Sequence, residues 1–403
     1  MAKLTYIEGL RGVAAFIVVL HHFSVAFYPA TYNGNYSQIH TQNAIELFIA
    51  TNPLNLFING NFPVCIFFIL SAYVLSYKFF KFPNYELIKS AAIRRYFRLA
   101  IPVLFSVFVA YTFMQFSLFY NKQAGDITLS TWWLSAFWNF KPDLLRAFLG
   151  SLLLSSNYNS LVLWMMPIEL FGSYWIFGAL FIYNMHLNRT LKSTIYILSI
   201  FLLLIVAGGY FLAFMIGLVF GYLSINKLQD LRNLDNYIIT YILLLTGLFL
   251  GSYPTNADTT NTIYNWLNLT CVLIHIPKTS IFIFYHILGG SLIILALITS
   301  KTLKRILSNK LLIFLGKISF SMYLIHGIII GSLSSYLFIR LFNHLSYNVA
   351  ALSTILISIP LIIIFSFYTQ KYIDNTGIRI SWQLYNISKH AYGALRLIYT
   401  KHY

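Results

Sequence analysis

Arg11, His21 and His22 interrupt an otherwise apolar segment near the start of the chain, "GLRGVAAFIVVLHHF" (residues 9–23). Eleven positions separate Arg11 from His22, which at about 100° per residue places both side chains on one helical face, roughly 16 Å apart along the axis. His21 points about 100° away from that face, so it is not expected to replace His22. A neutral imidazole can take a proton from a hydroxyl near pH 7. The pair is therefore a candidate chemical site. The alternative is a snorkelling arginine with histidines that bond neighbouring helices.

Three further ionisable residues occur in apolar segments. Glu169 lies in "LWMMPIELFGSYW" (residues 163–175), His326 in "LGKISFSMYLIHG" (residues 315–327), and His286 near the outer end of the apolar run 281–299. A carboxylate within a bilayer is costly unless it is paired or protonated, which makes Glu169 a functional candidate. We expect Glu169 in the outer half of its span, at a depth similar to that of His22, and His326 in the inner half of its own. His286 is interpreted as an interfacial histidine.

An arginine cluster occurs in "AAIRRYFRLAIP" (residues 91–102). Arg95 and Arg98 are three residues apart and hence neighbours on a helix surface. Their guanidinium groups can grip phosphate through bidentate hydrogen bonds. Taken alone, the cluster is equally typical of a segment that only sets membrane topology. Together with the helical face that carries Arg11 and His22, the cluster indicates a cytosolic phosphate-bearing ligand whose reactive end enters the bilayer.

The elements that position these residues are membrane-spanning helices. The chain is 59% hydrophobic and only 9% charged, whereas about a quarter of the residues in soluble domains are charged. The fold class is therefore predicted to be all-α, a polytopic membrane protein. Runs near the roughly 20 residues needed for a span predict ten helices, at residues 11–28, 62–80, 99–119, 161–183, 194–207, 209–225, 237–252, 281–299, 319–339 and 349–372. The fifth to seventh are short, and Gly208 and Gly209 mark either a tight re-entry or a kink between the fifth and sixth.

Charge distribution predicts the orientation. With the N-terminus inside, only five of the 27 lysine and arginine residues fall on the outer side, as the positive-inside rule requires. Both termini are therefore expected in the cytoplasm, with residues 1–372 forming the membrane domain and 373–403 a cytoplasmic tail. The net charge of +17 is explained by topology and anionic lipids, so no nucleic-acid partner is expected. The first span is predicted to remain as a signal anchor in the plasma or inner membrane. Cys65 and Cys271 both fall near the outer side, which leaves a disulfide open.

Five ordered motifs give the chain a resemblance to a known family. They are "IEGLRGVAAFIVVLHH" (7–22), "VCIFFILSAYVLS" (64–76), "RRYFRLAIP" (94–102), "LWMMPIEL" (163–170) and "LGKISFSMYLIH" (315–326). In this order they resemble the integral-membrane acyltransferase family 3, which includes the O-antigen and other surface-glycan O-acetyltransferases. Two positions differ: Glu8 stands where an aspartate is usual, and Ala72 where a glycine is usual.

The resemblance implies transfer of an acyl group, most often acetyl, from cytosolic acyl-CoA to a hydroxyl of a glycan or lipid-linked sugar at the outer face. No metal is expected. In this interpretation Arg95 and Arg98 hold the phosphates of acetyl-CoA, and Arg11 steadies the donor on its route. His22 is the general base that takes the proton of the acceptor hydroxyl.

The roles of the remaining candidates are less constrained. Glu169 either orients His22 or shuttles its proton, and His326 acts on the donor side. Direct transfer is favoured over an acyl-enzyme because no serine or cysteine is obviously activated, with Ser71 as the weak exception. Neither the acceptor nor the acyl chain follows from the sequence. The outer loops at 29–61, 120–160 and 253–280 are candidate sugar-facing surfaces.

A membrane carrier or lipid flippase is the competing class, since buried Arg, Glu and His side chains can also form a proton path. Inverted repeats and discontinuous helices would favour a carrier. Apart from the Gly208–Gly209 break, the sequence contains neither. Loss of an ester, as opposed to loss of substrate flux, distinguishes the two classes.

Overall fold

The computed structural model describes residues 4–185, 208–227, 235–273 and 280–401, together with a few residues between 188 and 198. Over these residues the secondary structure is helical, without a β-strand. The α-helices are α1 (Thr5–Phe27), α2 (Ala30–Asn33), α3 (Ile45–Thr51), α4 (Asn61–Lys81), α5 (Tyr85–Gln115), α6 (Asn121–Ile127), α7 (Leu144–Leu152), α8 (Ser160–Leu163), α9 (Met165–Asn184), α10 (Phe211–Asn226), α11 (Tyr237–Gly251), α12 (Asn265–Leu273), α13 (Ile281–Thr299), α14 (Lys301–Leu307), α15 (Lys310–Ile329), α16 (Ser335–Phe342), α17 (Tyr347–Thr369) and α18 (Asn375–Lys401). Short 3₁₀ turns lie at Tyr36–Gln38, Gln42–Ala44, Pro53–Ile58, Leu134–Ala136, Asn157–Asn159 and Gly208–Tyr210, and π-turns at Ile330–Ser334 and Gln370–Asp374.

The all-α class of the protein is confirmed. Seven of the helical segments in the described ranges are long and apolar enough to cross a membrane, and α10 and α11 are shorter apolar helices at the sixth and seventh predicted spans. The fifth predicted span, residues 194–207, falls largely outside the described residues. A 3₁₀ turn at Gly208–Tyr210 leads into α10. The number of ten spans and the cytoplasmic termini stay predictions.

Helices α1 and α15 pack closely along each other, and glycines make this approach feasible. A Cβ atom at Gly316 would lie 1.9 Å from the backbone oxygen of Glu8, and one at Gly12 would lie 2.6 Å from the backbone oxygen of Leu312. Both distances are far below van der Waals contact, so only a residue without a side chain fits. This contact matters for the site because α1 carries His22 and α15 carries His326.

The centre of the bundle is α4, which packs against α9, α10 and α13. Gly217 and Gly221 of α10 face α4, where a Cβ atom at Gly217 would lie 2.3 Å from the backbone oxygen of Ile69. Small residues four apart allow helix backbones to approach closely in the absence of a hydrophobic driving force. The side chain of Cys65 is buried in α4 and carries a free thiol.

The start of α5 differs from the prediction. The sequence placed the third span at residues 99–119, but the helix begins at Tyr85, where the Asn84 side chain accepts a hydrogen bond from the Glu86 backbone. Since capping residues of this type fix where a helix starts, the polar first turns belong to the same helix as the apolar part. Arg95 therefore lies about 15 Å from the start of α5, and its place at the mouth of the span stays a prediction.

The C-terminal segment continues the bundle. The π-turn at Gln370–Asp374 joins α17 directly to α18, and α18 packs along α5. The guanidinium carbon of Arg94 lies 3.6 Å from the centre of the Trp382 ring, a cation–π contact. The Tyr385 hydroxyl donates a hydrogen bond to Glu86 at 3.1 Å. Residues that follow the predicted boundary at 372 are thus held against the first turns of α5.

Candidate functional site

A cavity of about 360 Å³ contains His22 in its wall. The volume is in the range of small-ligand sites, roughly 300–1,000 Å³. The lining is mixed, with aromatic rings and a few polar groups. The other residues that line it and bear on the chemistry are His21, Asn61, Trp133, Trp164, Tyr210 and Tyr323. Trp133 belongs to the loop at 120–160, and its ring stacks on His22 with centres 5.4 Å apart and planes 21° apart.

His22 forms a hydrogen bond with His326. The Nδ1 atom of His22 lies 2.8 Å from the Nε2 atom of His326, and His326 is fully buried. The sequence predicts His326 in the inner half of its span, on the donor side and away from His22. The structure instead places the two rings in contact, because the close packing of α1 on α15 brings the two positions to one depth.

The hydrogen-bond partners assign the protons of this pair. The Nδ1 atom of His326 lies 2.9 Å from the backbone oxygen of Met322. A carbonyl oxygen only accepts, so Nδ1 of His326 carries the proton and Nε2, in a neutral ring, is the acceptor. His22 must therefore donate from Nδ1, which leaves the lone pair of His22 on Nε2. A histidine held in this tautomer by a second group has the arrangement of a general base.

His21 is held differently from its neighbour. Its Nδ1 atom lies 2.7 Å from the backbone oxygen of Ile58, and a Cβ atom at Gly60 would lie 2.3 Å from the His21 ring. The ring thus ties α1 to the segment that precedes α4. That His21 does not replace His22 stays a prediction, and this placement agrees with the 100° separation on which it was based.

Glu169 and Arg95 form a buried ion pair. Ser71 donates to Glu169 at 2.5 Å, and Arg95 donates from Nη2 to Ser71 at 2.9 Å and from Nε to Ser173 at 2.9 Å. Glu169 was expected at the depth of His22, and Arg95 at the cytoplasmic mouth of its span. Residues in contact lie at nearly the same depth, so these two expectations cannot both be right. The contact joins α5 to α9, so it fixes the depth of Glu169 relative to Arg95 and not the depth of either residue in the membrane.

Arg98 lies in a second charged group. It interacts electrostatically with Asp374, Arg11 and Glu8, and also with Arg95. The guanidinium of Arg11 is 3.7 Å from the Glu8 carboxylate, and the Arg11 side chain is 32% exposed. Glu8, Arg11, Arg98 and Asp374 lie on α1, α5 and the α17–α18 turn, and we call them the charged layer. The cavity lies at the opposite end of the α1 face that carries Arg11 and His22. Arg98 is exposed and Arg11 is partly exposed, so both guanidinium groups are open to a ligand.

Sequence reasoning missed several of these residues. Asp374 joins the charged layer through the π-turn after α17, and its only signal was its place as the last acidic residue of the chain. Trp133 had a weaker signal, the aromatic richness of its loop. His286, interpreted as interfacial, is fully buried within the bundle. Its ring nitrogens bond Asn61 and the backbone oxygen of Tyr253, each at 2.8 Å.

Comparisons with known proteins agree with this arrangement. The model of the acyltransferase 3 family, described as an acyltransferase domain, matches residues 4–369. The chain is also similar to the acyltransferase clz18 of Cochliobolus lunatus, with 25% identity over 404 aligned residues that cover 83% of this chain and 84% of that protein. No solved structure matches. The family match covers the histidine pair and the charged layer except Asp374, and the chain accordingly belongs to the acyltransferase 3 family of multi-pass membrane acyltransferases.

Proposed function

We propose that the protein is an O-acyltransferase that moves an acyl group, acetyl in the simplest case, from cytosolic acyl-CoA to a hydroxyl of a glycan or lipid-linked sugar at the outer face of the cell membrane. The observation that carries the proposal is the His22–His326 hydrogen bond in the wall of the cavity. The tautomer it imposes leaves a basic nitrogen for a substrate hydroxyl. No serine or cysteine side chain is required as a nucleophile.

The transfer step needs only these groups. The acceptor hydroxyl gives its proton to Nε2 of His22 while its oxygen bonds to the thioester carbonyl carbon. The carbon–sulfur bond then breaks, and the proton passes to the departing thiolate, so the products are an ester and free CoA. His326 accepts the hydrogen bond from Nδ1 of His22 and stabilises the imidazolium that forms. The stacked Trp133 ring holds the imidazole plane and excludes water from one face.

The charged layer supports an acyl-CoA donor. Guanidinium groups suit phosphate because they donate paired hydrogen bonds in one plane. Arg11 is accessible, and Arg98 is close enough to interact with it electrostatically. These two residues are therefore assigned to the CoA phosphates. Arg95, anchored by Glu169 and two serines, orders the neighbouring turn of α5. A ligand held there would reach His22 along the α1 face, about 16 Å away.

The test compares ester-linked acyl groups on envelope glycans by mass spectrometry. Cells that lack the gene are compared with the same cells given the intact protein, His22→Ala, or His344→Ala as a control, an exposed histidine in the α16–α17 loop. We expect the intact protein and His344→Ala to restore the ester and His22→Ala to fail at equal membrane abundance. Full restoration of the ester by His22→Ala would show that His22 is not the general base. If no ester depended on the gene, the carrier class would replace the proposal.

A further inference from the structure

A second hydrogen-bonded chain ends in the wall of the same cavity. The Tyr210 hydroxyl donates to Oδ1 of Asn61 at 2.5 Å, and Nδ2 of Asn61 lies 2.8 Å from Nδ1 of His286. Nε2 of His286 lies 2.8 Å from the backbone oxygen of Tyr253. Tyr210 and Asn61 line the cavity, whereas His286 lies behind them and is fully buried. The proposed base mechanism uses none of these residues.

The shortest contacts assign the protons of this hydrogen-bonded chain. Nε2 of His286 lies 2.8 Å from the Tyr253 carbonyl and 3.1 Å from Nδ2 of Asn59, whose own protons go to the carbonyls of Tyr253 and Gly251. The shorter contact is to an atom that only accepts, so Nε2 of His286 carries the proton and Nδ1 of the neutral ring accepts. Asn61 must then present its NH₂ group to His286 and its oxygen to Tyr210. An amide oxygen also only accepts, hence the Tyr210 hydroxyl proton is committed to Asn61. The Tyr210 oxygen is left with lone pairs and no proton for a ligand.

Further hydrogen bonds hold the far end of this hydrogen-bonded chain, the backbone oxygen of Tyr253. Asn59, which is 1% exposed, donates from Nδ2 to the backbone oxygen of Tyr253 at 3.0 Å. Its Oδ1 accepts from Thr255 at 3.3 Å. Buried polar groups are costly unless they are hydrogen-bonded, and satisfied networks fix one arrangement. An apolar residue at His286 would pack in α13 without that cost, so the buried histidine is better explained by the direction it gives to Asn61.

We propose that Tyr210 is an acceptor-binding residue that takes a hydrogen bond from a second hydroxyl of the substrate, oriented by Asn61 and His286 as positioning residues. The ligand class is thus a polyhydroxylated acceptor, with one hydroxyl at His22 and another at Tyr210. A group that cannot donate, such as a carbonyl, an ether oxygen or a fluorine, does not satisfy Tyr210. The inference rests on the proposed function and specifies the acceptor of that same site.

The first experiment measures acceptor kinetics with the full-length protein in detergent. Acetyl-CoA is the donor, and a panel of methyl glycosides supplies the probe, with the best-acylated member carried forward. Tyr210→Phe removes only the oxygen. We expect its KM for the glycoside to rise about 3- to 10-fold, the effect of one neutral hydrogen bond, with kcat and the KM for acetyl-CoA within about twofold. The matched control is Tyr264→Phe, which loses a buried hydroxyl bonded to Ser252 at 2.8 Å.

The second experiment tests the direction of the hydrogen bond. Each non-reacting hydroxyl of the glycoside is replaced in turn by hydrogen and by fluorine, which accepts but cannot donate. At one position of the glycoside, both replacements are expected to raise the KM of the intact protein by the same factor. The KM of Tyr210→Phe is expected to be unchanged by either replacement at that position. If the intact protein tolerated fluorine at every position, the assigned direction would be wrong.

The positioning residues have their own readout. Asn61→Leu cannot orient the Tyr210 hydroxyl and is expected to match Tyr210→Phe in its KM for the glycoside. Asn61→Asp keeps an acceptor for Tyr210 but loses the donor to His286, and is expected to raise the KM for the glycoside less than Asn61→Leu does. A purely structural role would instead lower kcat and stability in both Asn61 variants. An unchanged acceptor KM in Tyr210→Phe, with transfer intact, overturns this inference alone. Absence of acyl transfer to every glycoside overturns the proposed function and this inference together.

Discussion

Nδ1 of His22 lies 2.8 Å from Nε2 of His326, although the two residues are 304 positions apart in the chain. The same His326 ring is anchored to the backbone oxygen of Met322 at 2.9 Å. The result is a directed relay from a backbone carbonyl through two imidazoles to a cavity. In this arrangement the second histidine acts on the tautomer of the first and not on the donor.

Removal of His326 is expected to cost nearly as much activity as removal of His22. His326→Ala frees the His22 ring to adopt the wrong tautomer, so we expect a 10²- to 10⁴-fold loss, in the range of general-base catalysis. The double variant should lose no more than either single one, because residues that act as a unit are not additive. Release of the CoA thiol measures the rate, with His344→Ala as the control. Independent, multiplicative losses would contradict the relay.

The approach of α1 to α15 is expected to be required for activity. Gly316→Ala places a Cβ atom 1.9 Å from the backbone oxygen of Glu8, so the helices must separate and the His22–His326 distance must grow. Overpacking of this kind costs about 1–3 kcal/mol. We expect a lower melting temperature in detergent and a loss of transfer. Gly178→Ala is the control, since no atom lies within 4 Å of its Cβ position, and it should be neutral or stabilising by up to about 1 kcal/mol.

The Arg95–Glu169 pair is expected to behave as one unit in stability. Glu169→Gln leaves a buried guanidinium without its counter-charge, which costs about 3–5 kcal/mol. The double variant Arg95→Met with Glu169→Gln removes both charges and should unfold at a higher temperature than Glu169→Gln. Thermal unfolding in detergent measures the difference. A double variant that is stable but inactive would show that the pair is needed for transfer as well as for stability, whereas additive destabilisation would contradict the pairing.

Arg11 is expected to contribute to donor binding. Arg11→Gln removes an accessible guanidinium, and loss of a charged hydrogen bond to phosphate, about 1.5–3 kcal/mol, should raise the KM for acetyl-CoA by roughly 10- to 100-fold. The KM for the acceptor should change little. Arg340→Gln, an exposed arginine of α16, controls for general loss of positive charge. Equal effects of the two variants on the KM for acetyl-CoA would show that Arg11 has no specific contact.

The sequence by itself determined the class and the candidate residues. Low charge and long apolar runs leave helical membrane spans as the only way to satisfy the backbone in lipid. The cost of burying a charge made Arg11, His22, Glu169 and His326 stand out. Helical phase alone separated His22 from His21, since it depends only on a local periodicity of 3.6 residues per turn.

Only the tertiary structure decided which of these residues meet. Pairing of His22 with His326 depends on the depth at which α1 and α15 pack, which glycines at the contact set by steric fit. Glu169 meets Arg95 because α5 packs against α9, and depth along a neighbouring helix is not encoded in local periodicity. The link from Tyr210 through Asn61 to His286 joins three separate segments. Such contacts arise from the packing of whole helices, a non-local property, and therefore no spacing in the sequence announces them.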